Sequence, residues 1–219
     1  MWSSEVTNMI ITGIWETLYM TLVSTLVGYV IGLPMGIILT VSDKDGIKPN
    51  AVLYKILDVI ANIVRSVPFI ILLVLLIPFT RLVVGKSYGS TATIVPLVIA
   101  AAPYIARMVE SSLKEVDTGV IEAARSMGAS NFTIITKVML VEARTSLLVG
   151  ATITLGTILG YSAMSGAVGG GGLGAIAIRY GYTRWQTDIM IVTVILLIIL
   201  FQIFQTVGMK LADKFDHRK

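Results

Sequence analysis

Long apolar runs separated by short polar stretches dominate this sequence. A helix needs about 20 apolar residues to cross the hydrocarbon of a bilayer, and the pattern predicts five such helices, at about 11–41, 57–84, 91–113, 145–167 and 188–210. The connections between these runs leave no room for a second folded unit. We therefore predict an all-α integral membrane protein in which residues 1–219 form a single transmembrane domain with five transmembrane helices.

The polar segment 117–142 interrupts this apolar pattern between the third and fourth predicted spans. Asp117 or Thr118 can cap a first short helix and Ser130 a second one, because their side-chain oxygens accept hydrogen bonds from N–H groups of a first helical turn. Gly128 lies between the two and permits a turn. Apolar residues at four-residue spacing in the second half predict that this helix buries one face. We expect a hinged pair of helices at the membrane surface.

Charge sets the expected orientation. The chain has 17 Lys and Arg against 13 Asp and Glu, and no cysteine. With the N-terminus outside, 13 of the cations fall on the inner side and four on the outer side, which fits the excess of Lys and Arg in cytoplasmic loops. The inner set is Lys44, Lys48, Lys55, Arg65, Arg107, Lys114, Arg125, Lys137, Arg144, Lys210, Lys214, Arg218 and Lys219, and the outer set is Arg81, Lys86, Arg179 and Arg184. The prediction is a multi-pass protein with an outer N-terminus and a cytoplasmic C-terminus, whose basic residues need no nucleic acid to explain them.

Motifs for catalysis or nucleotide binding are incomplete. Gly85-Lys86-Ser87 resembles the end of a phosphate-binding loop, but the position five residues before Gly85 is Thr80 instead of glycine and no strand precedes it. Gly160-x-Ser162 resembles the start of a nucleophile elbow, but no histidine in a span can act as the base. We predict no catalytic, metal or cofactor site in this chain.

Ion-coupled transport is the alternative from a different functional class. Carriers of that kind hold an acid or a histidine deep in the membrane to bind a proton or sodium ion. Here Asp58, Glu110 and Asp188 lie near predicted span ends, Glu110 with Arg107 three residues away as a partner, and His217 lies in the tail. The described pattern therefore gives little support to ion-coupled transport.

Candidate pathway residues occur in two segments. In the first, Tyr161 and Ser162 offer hydrogen bonds among small residues, and Met164 is a flexible apolar side chain suited to a gate. The second segment contains Ser66 and Pro68. Five helices are few for lining a solute path, so we expect two copies facing each other across a two-fold axis, as a homodimeric pathway.

The second segment also carries a proline break and a cation. Pro68 leaves the carbonyl of Val64 without its helical partner, and Ser66 or a neighbouring helix is the expected donor to it. Arg65 is interpreted as a cation that anchors the chain at the inner membrane boundary.

Glycines mark two further places. Gly28, Gly32 and Gly36 are spaced by four, which lets another helix approach closely in a membrane. The segment 165–174, SGAVGGGGLG, has six glycines and predicts a compact outer turn instead of a continuous helix.

A family resemblance follows from the polar segment. Glu122-Ala123-Ala124, three residues, Gly128, nine residues and Val138-x-Leu140 resemble the EAA loop of permease subunits of bacterial ABC importers, the type I permease family. The resemblance implies cytoplasmic coupling helices that dock into a cleft of the ATP-hydrolysing subunit. It assigns this role to Glu122, Ala123, Ala124, Arg125, Gly128, Ser130 and Leu140. The chain departs from the family pattern at Val141, where the family has proline.

Within that family the methionine importers are the most similar, through RSVPFIILL, IPFTR, IVPL, AAPYIARMVE and GYSAMSGAVGGGGLG. This resemblance implies a homodimer in the lipid of a bacterial cytoplasmic membrane. It also implies two ATP-binding subunits that hold ATP and magnesium, and an extracytoplasmic binding protein that delivers methionine. The same architecture importing another small amino acid remains the alternative.

Overall fold

The computed structural model describes residues 4–215, and every regular element in that range is helical. The helices are α1 (Ser4–Ser42), α2 (Ala51–Ser66), α3 (Phe69–Leu75), α4 (Ile77–Val84), α5 (Ser90–Lys114), α6 (Thr118–Ser126), α7 (Asn131–Thr133), α8 (Leu140–Glu142), α9 (Arg144–Ser165), α10 (Gly172–Ile176) and α11 (Thr187–Lys214). π-Helical turns follow α7 (Ile134–Met139) and α10 (Ala177–Tyr182), and a 3₁₀ turn follows α9 (Gly166–Val168). His217, Arg218 and Lys219, which entered the sequence predictions, lie outside the described residues.

Four stretches of the described chain are long and apolar enough to cross a membrane, and a sharply bent pair of helices is a candidate for a fifth. The four are Ser4–Ser42, Ser90–Lys114, Arg144–Tyr182 and Thr187–Lys214, and the bent pair is α2 with α3. This helical, multi-span architecture confirms the predicted fold class.

α1 and α5 form the most closely packed pair of helices. Gly28, Gly32 and Gly36 of α1 are all buried against α5. A Cβ atom added at Gly32 would lie 2.8 Å from the Cβ of Ile105, and one at Gly36 would lie 2.7 Å from the Cβ of Val109. Because real Cβ atoms do not approach so closely, these positions require glycine. The predicted role of the glycine spacing is confirmed.

α5 is the central helix of the bundle. It packs against α1, α2 and α9, and its apolar side chains Leu97, Ile105, Val109 and Leu113 are almost fully buried. The core continues toward the polar segment through Ile134 and Met139 and toward α9 through Ile158. Helices from the first, second and fourth predicted spans therefore meet on α5.

The second predicted span, 57–84, is broken at Pro68, as predicted, but its first helix starts earlier than predicted. α2 begins at Ala51 because Asn50 caps it, accepting a hydrogen bond from Leu53 N at 3.1 Å. Pro68 disfavours helical geometry at the residue before it, and Val67 is accordingly extended. The axes of α2 and α3 therefore meet at 101°.

We predicted that Ser66 or a neighbouring helix donates a hydrogen bond to the Val64 carbonyl, and this prediction is wrong. Val67 N donates to Val64 O at 3.4 Å, whereas the hydroxyl of Ser66 donates to Asn62 O at 2.7 Å. The Ser66 hydroxyl thus donates to the carbonyl four residues earlier, as serine hydroxyls in helices commonly do.

The glycine-rich segment 165–174 forms the predicted turn and then continues as a helix. After the turn at Gly169, the chain enters α10 and the following π-helical turn, which lie between the predicted spans 145–167 and 188–210. The carboxylate of Glu16 accepts a hydrogen bond from Gly172 N at 2.6 Å, and Thr17 Oγ1 accepts one from Leu173 N at 2.9 Å. Two side chains of α1 thus accept hydrogen bonds from the first backbone N–H groups of α10.

Candidate functional site: the hinged polar segment and a pocket beside the α2–α3 bend

The polar segment 117–142 has the predicted hinged form. The carboxylate of Asp117 accepts a hydrogen bond from Gly119 N at 2.7 Å and caps α6, and Ser130 Oγ accepts one from Thr133 N at 3.2 Å and caps α7. Between them Gly128 has φ +81°, in the left-handed region that favours glycine. Both helix starts and the turn were predicted from residues within a few positions of each other, and all three predictions are confirmed.

One face of this segment is attached to the bundle and the other is exposed. Ala124, Ile134 and Met139 are buried in the core. On the opposite side Met127 is 82% exposed and Phe132 is 75% exposed, although both are large and apolar. Exposed apolar side chains beside a polar turn are typical of a surface that binds another protein. Sequence reasoning named neither residue, although both flank the glycine turn.

Among the predicted coupling residues, Glu122, Ala123, Arg125, Gly128 and Ser130 are exposed, whereas Ala124 is buried and Leu140 packs partly against the core. Glu122 and Arg125 form no ion pair with each other in the described chain. Instead, the guanidinium of Arg125 donates to the carbonyl of Ile47 at 2.8 Å. This bond ties α6 to the loop between α1 and α2, across a cavity of about 450 Å³ lined by charged side chains of both.

Val141 stands where the family pattern has proline. The backbone stays helical there, since α8 covers Leu140–Glu142 and α9 begins two residues later at Arg144. A π-helical turn, Ile134–Met139, precedes this short helix.

A network of charged side chains fixes the base of the bundle next to this segment. Arg107 on α5 bonds the carboxylates of Asp58 on α2 and Glu110 on α5, the latter at 2.6 Å, which confirms the predicted Arg107–Glu110 pair. Lys114 Nζ lies 2.8 Å from Glu110 and 2.6 Å from Asp43, in the loop after α1. The hydrogen bond from Lys114 lowers the pKa of the Asp43 carboxyl below its ordinary value. Three elements are therefore held together by alternating charges.

The two candidate pathway segments meet at a pocket of about 160 Å³ beside the α2–α3 bend. Phe69, the first residue of α3, and Tyr161 of α9 stack with ring centroids 4.5 Å apart and planes within 3°. Val67 and Arg65 from the other side of the bend line the same pocket, as does Tyr104 of α5. Residues nearly a hundred positions apart in the sequence are thus brought together at one place.

The individual pathway candidates occupy different environments. Ser66 and Pro68 are exposed at the bend, and Met164, one turn beyond Tyr161 on α9, is 53% exposed. Ser162 is fully buried and its hydroxyl donates to Leu159 O at 2.8 Å, so it faces the interior of the chain and not an open surface. Its burial reflects helical geometry, since residues one position apart on a helix point in directions about 100° apart.

Comparisons with known proteins agree with this architecture. A family model described as a binding-protein-dependent transport system inner membrane component matches residues 28–218. The probable D-methionine transport system permease protein MetI of Vibrio cholerae serotype O1 is 49% identical over 217 residues, which is 99% of this chain and 96% of the relative. The D-methionine transport system permease protein MetI of Escherichia coli K12 is 52% identical over 158 residues, 72% of this chain and 73% of the relative.

Solved structures give the same result. A chain of the inward-facing MetNI methionine ABC transporter superposes with a TM-score of 0.97 and 50% identity, covering 99% of this chain and 100% of that one. An amino acid ABC transporter with histidines reaches a TM-score of 0.73 at 22% identity, covering 98% and 96%, a likeness that concerns the fold. With its family match over most of its length, this chain belongs to the inner membrane components of binding-protein-dependent transport systems.

Proposed function

We propose that this chain is the membrane subunit of an ATP-driven methionine importer. The observation that carries the proposal is the near-complete match to a chain of the MetNI methionine ABC transporter at 50% identity. The relatives named as D-methionine permeases support the same substrate. In this role the chain forms the membrane pathway, while ATP and magnesium are bound and ATP is hydrolysed on a separate subunit.

The polar segment 117–142 is proposed to receive the force from that ATPase. Its inner face is packed into the core through Ile134 and Met139, so displacement of the segment moves α5 and α9 with it. Its outer face offers Met127 and Phe132 to a partner. Glu122, Ala123, Arg125, Gly128 and Ser130 lie on the exposed part of the same segment.

Two copies of the chain, two ATPase subunits and an extracytoplasmic binding protein complete the proposed assembly. The pathway would run between the two copies, next to Met164 and the exposed side of the pocket beside the α2–α3 bend. Alternating access then requires the two copies to approach and separate at Met164 when the ATPase subunits close and open.

The test of the function is uptake in proteoliposomes. The permease reconstituted with its ATPase is expected to accumulate radiolabelled methionine only when ATP and the binding protein are both supplied. Uptake that persists without ATP, or that follows an ion gradient, would contradict the proposal. A panel of other amino acids distinguishes methionine from another small amino acid.

The coupling role is tested by charge and shape changes in the segment. Met127→Asp and Glu122→Arg are expected to abolish co-purification of the ATPase, or to leave it bound with ATP hydrolysis uncoupled from uptake, while thermal stability in detergent stays unchanged. Glu5→Arg, a matched charge reversal at an exposed site near the start of α1, is the control. Normal assembly and uptake in both segment variants would show that the ATPase docks elsewhere.

The proposed orientation, with the N-terminus outside and the C-terminus in the cytoplasm, is open to a direct test because the chain has no cysteine. Ser126→Cys and Lys86→Cys each place one thiol at an exposed position, in the coupling segment and in the opposite loop. A membrane-impermeant maleimide is expected to label only the Lys86→Cys variant in right-side-out vesicles. The reverse pattern would contradict the orientation.

A further inference from the structure

Arg65 lies beside the central helix α5, well away from the C-terminal end of that helix. Along α2 and α5, Tyr54 contacts Glu110 and Asp58 contacts Arg107, so the two helices run antiparallel. Continuing that ladder places Arg65 opposite Ala100 and Tyr104, with which it lines the 160 Å³ pocket. Tyr104 is ten residues before Lys114 at the end of α5, which is about 15 Å along a helix axis. Arg65 therefore lies beside the middle of α5, about half-way along a helix that is long and apolar enough to cross a membrane.

A guanidinium at this depth needs an anionic partner or water, because an unpaired charge in hydrocarbon is costly. Within residues 4–215, Arg65 forms no ion pair, and the acid nearest to it along α2, Asp58, is already bound to Arg107. Arg65 is nevertheless exposed on the surface of the single chain. Its charge is thus available to something outside the chain, at the level of the proposed pathway.

The rest of the pocket has the composition of an amino-acid site. The stacked rings of Phe69 and Tyr161 form an aromatic wall, which suits an ammonium group or a thioether. Leu72, Val67 and Ala100 supply apolar surface. A cavity of about 150 Å³ is known to hold a molecule the size of benzene, so this pocket has room for a short side chain. Arginine is the residue best shaped to bind a carboxylate through two parallel hydrogen bonds.

We propose that Arg65 binds the carboxylate of the amino acid in transit, while the Phe69–Tyr161 wall receives its apolar side chain. The proposal rests on the function proposed above and adds to it a transient site within the membrane subunit. Two copies of the chain would place one such site on each side of the pathway, below Met164. Selection for a free α-carboxylate would then occur in the permease as well as in the binding protein.

The experiment uses the permease–ATPase assembly in lipid nanodiscs without the binding protein. Binding of radiolabelled methionine is measured with unlabelled methionine and methioninol as competitors, and binding to the ATPase alone is subtracted. Methioninol carries a hydroxymethyl group in place of the carboxylate. In the wild type we expect methioninol to compete about tenfold less well or worse, as expected for the loss of a charge-assisted hydrogen bond.

Three variants test whether Arg65 is the group that binds the carboxylate. Arg65→Gln is expected to weaken methionine binding about tenfold or more and to abolish the preference over methioninol. Arg65→Lys keeps the charge without the paired geometry and is expected to fall between the two. Lys55→Gln removes an exposed charge from the same helix outside the pocket and should match the wild type.

Other results would overturn the inference while leaving the function intact. Wild-type uptake of methionine with equal binding of methionine and methioninol, or unchanged affinity in both Arg65 variants, shows that Arg65 does not bind the carboxylate. Binding that depends on anionic lipid in the nanodisc and not on the carboxylate assigns Arg65 to a lipid headgroup. Absence of methionine uptake by the wild type in proteoliposomes contradicts the proposed function itself.

Discussion

Two short helices at opposite ends of the molecule begin in different ways. α6, at the start of the coupling segment, is capped by Asp117, the residue directly before it. α10, in the outer turn, has Gly171 at its start, and its first N–H groups are bound by Glu16 and Thr17 of α1, 156 positions away in the sequence. A local cap lets α6 start from residues within the polar segment itself. The cap of α10 is tertiary, because its acceptors belong to α1. The start of α10 is therefore fixed only when α1 packs against it.

The strongest test of this difference concerns packing at the outer turn. Gly174→Val is expected to destabilise the chain by about 3 kcal/mol or more. A Cβ at this position would lie 2.6 Å from Ala163 Cα and 2.7 Å from its carbonyl carbon, which are backbone atoms that cannot rotate away. The measurement is the free energy of unfolding in mixed micelles. Gly160→Val, on the same outer half of the bundle with no atom within 4 Å of its added Cβ, is the control and should change stability little.

Removing the tertiary cap is expected to have the next largest effect. Glu16→Ala leaves Gly172 N without its acceptor, which costs about 1 to 3 kcal/mol for a bond to a charged group. Glu16→Gln keeps an acceptor oxygen and should retain most of the stability. Hydrogen exchange read by mass spectrometry should show faster exchange across 172–182 in Glu16→Ala. Unchanged exchange there would mean that packing alone holds the outer turn.

Removing the local cap should cost less. Asp117→Ala is expected to destabilise α6 by about 1 kcal/mol, the usual value for loss of an N-cap, and Asp117→Asn should be nearly neutral because it keeps the acceptor. Faster exchange should be confined to 118–126, which shows that the coupling segment is a local unit. Loosening that spreads to α10 would contradict the separation of the two ends.

The difference between local and tertiary caps also explains which features could be predicted from the sequence. Caps at Asp117 and Ser130 and the turn at Gly128 depend on neighbouring residues, and they were predicted. The spacing of Gly28, Gly32 and Gly36 predicted a close helix contact but not that α5 is the partner, because spacing describes one face only. The tertiary cap by Glu16 has no local signal, since its acceptor and donor are joined only by the fold.

The start of α2 shows what a span predicted from hydropathy leaves out. Hydropathy placed the second span from Leu57, which put Arg65 near the inner boundary. The true start is set by Asn50, whose cap has a readable signal in an Asn just before a helix-forming run. From Ala51 to Arg65 there are about four turns of helix, and Arg65 lines a pocket with Ala100 and Tyr104 near the middle of α5. A polar cap can therefore correct a boundary predicted from hydropathy.

The smallest expected effect concerns the loop between α1 and α2, which contains Asp43. Lys114 lowers the pKa of Asp43 in the folded chain, so the folded state favours the ionised carboxylate more than the unfolded state does. This stabilisation is present at neutral pH, above the unfolded pKa of about 4, and is lost as pH falls through the lower folded pKa. The difference in unfolding free energy between wild type and Asp43→Asn should thus be constant from pH 7 to about pH 5 and shrink below about pH 4.

Because Lys114 also binds Glu110, Asp43→Asn removes only one of its two ion pairs, and α5 should keep its attachment to α2 through Arg107. A difference that grows on acidification would mean that Asp43 is held in its protonated form and that Lys114 is not its partner.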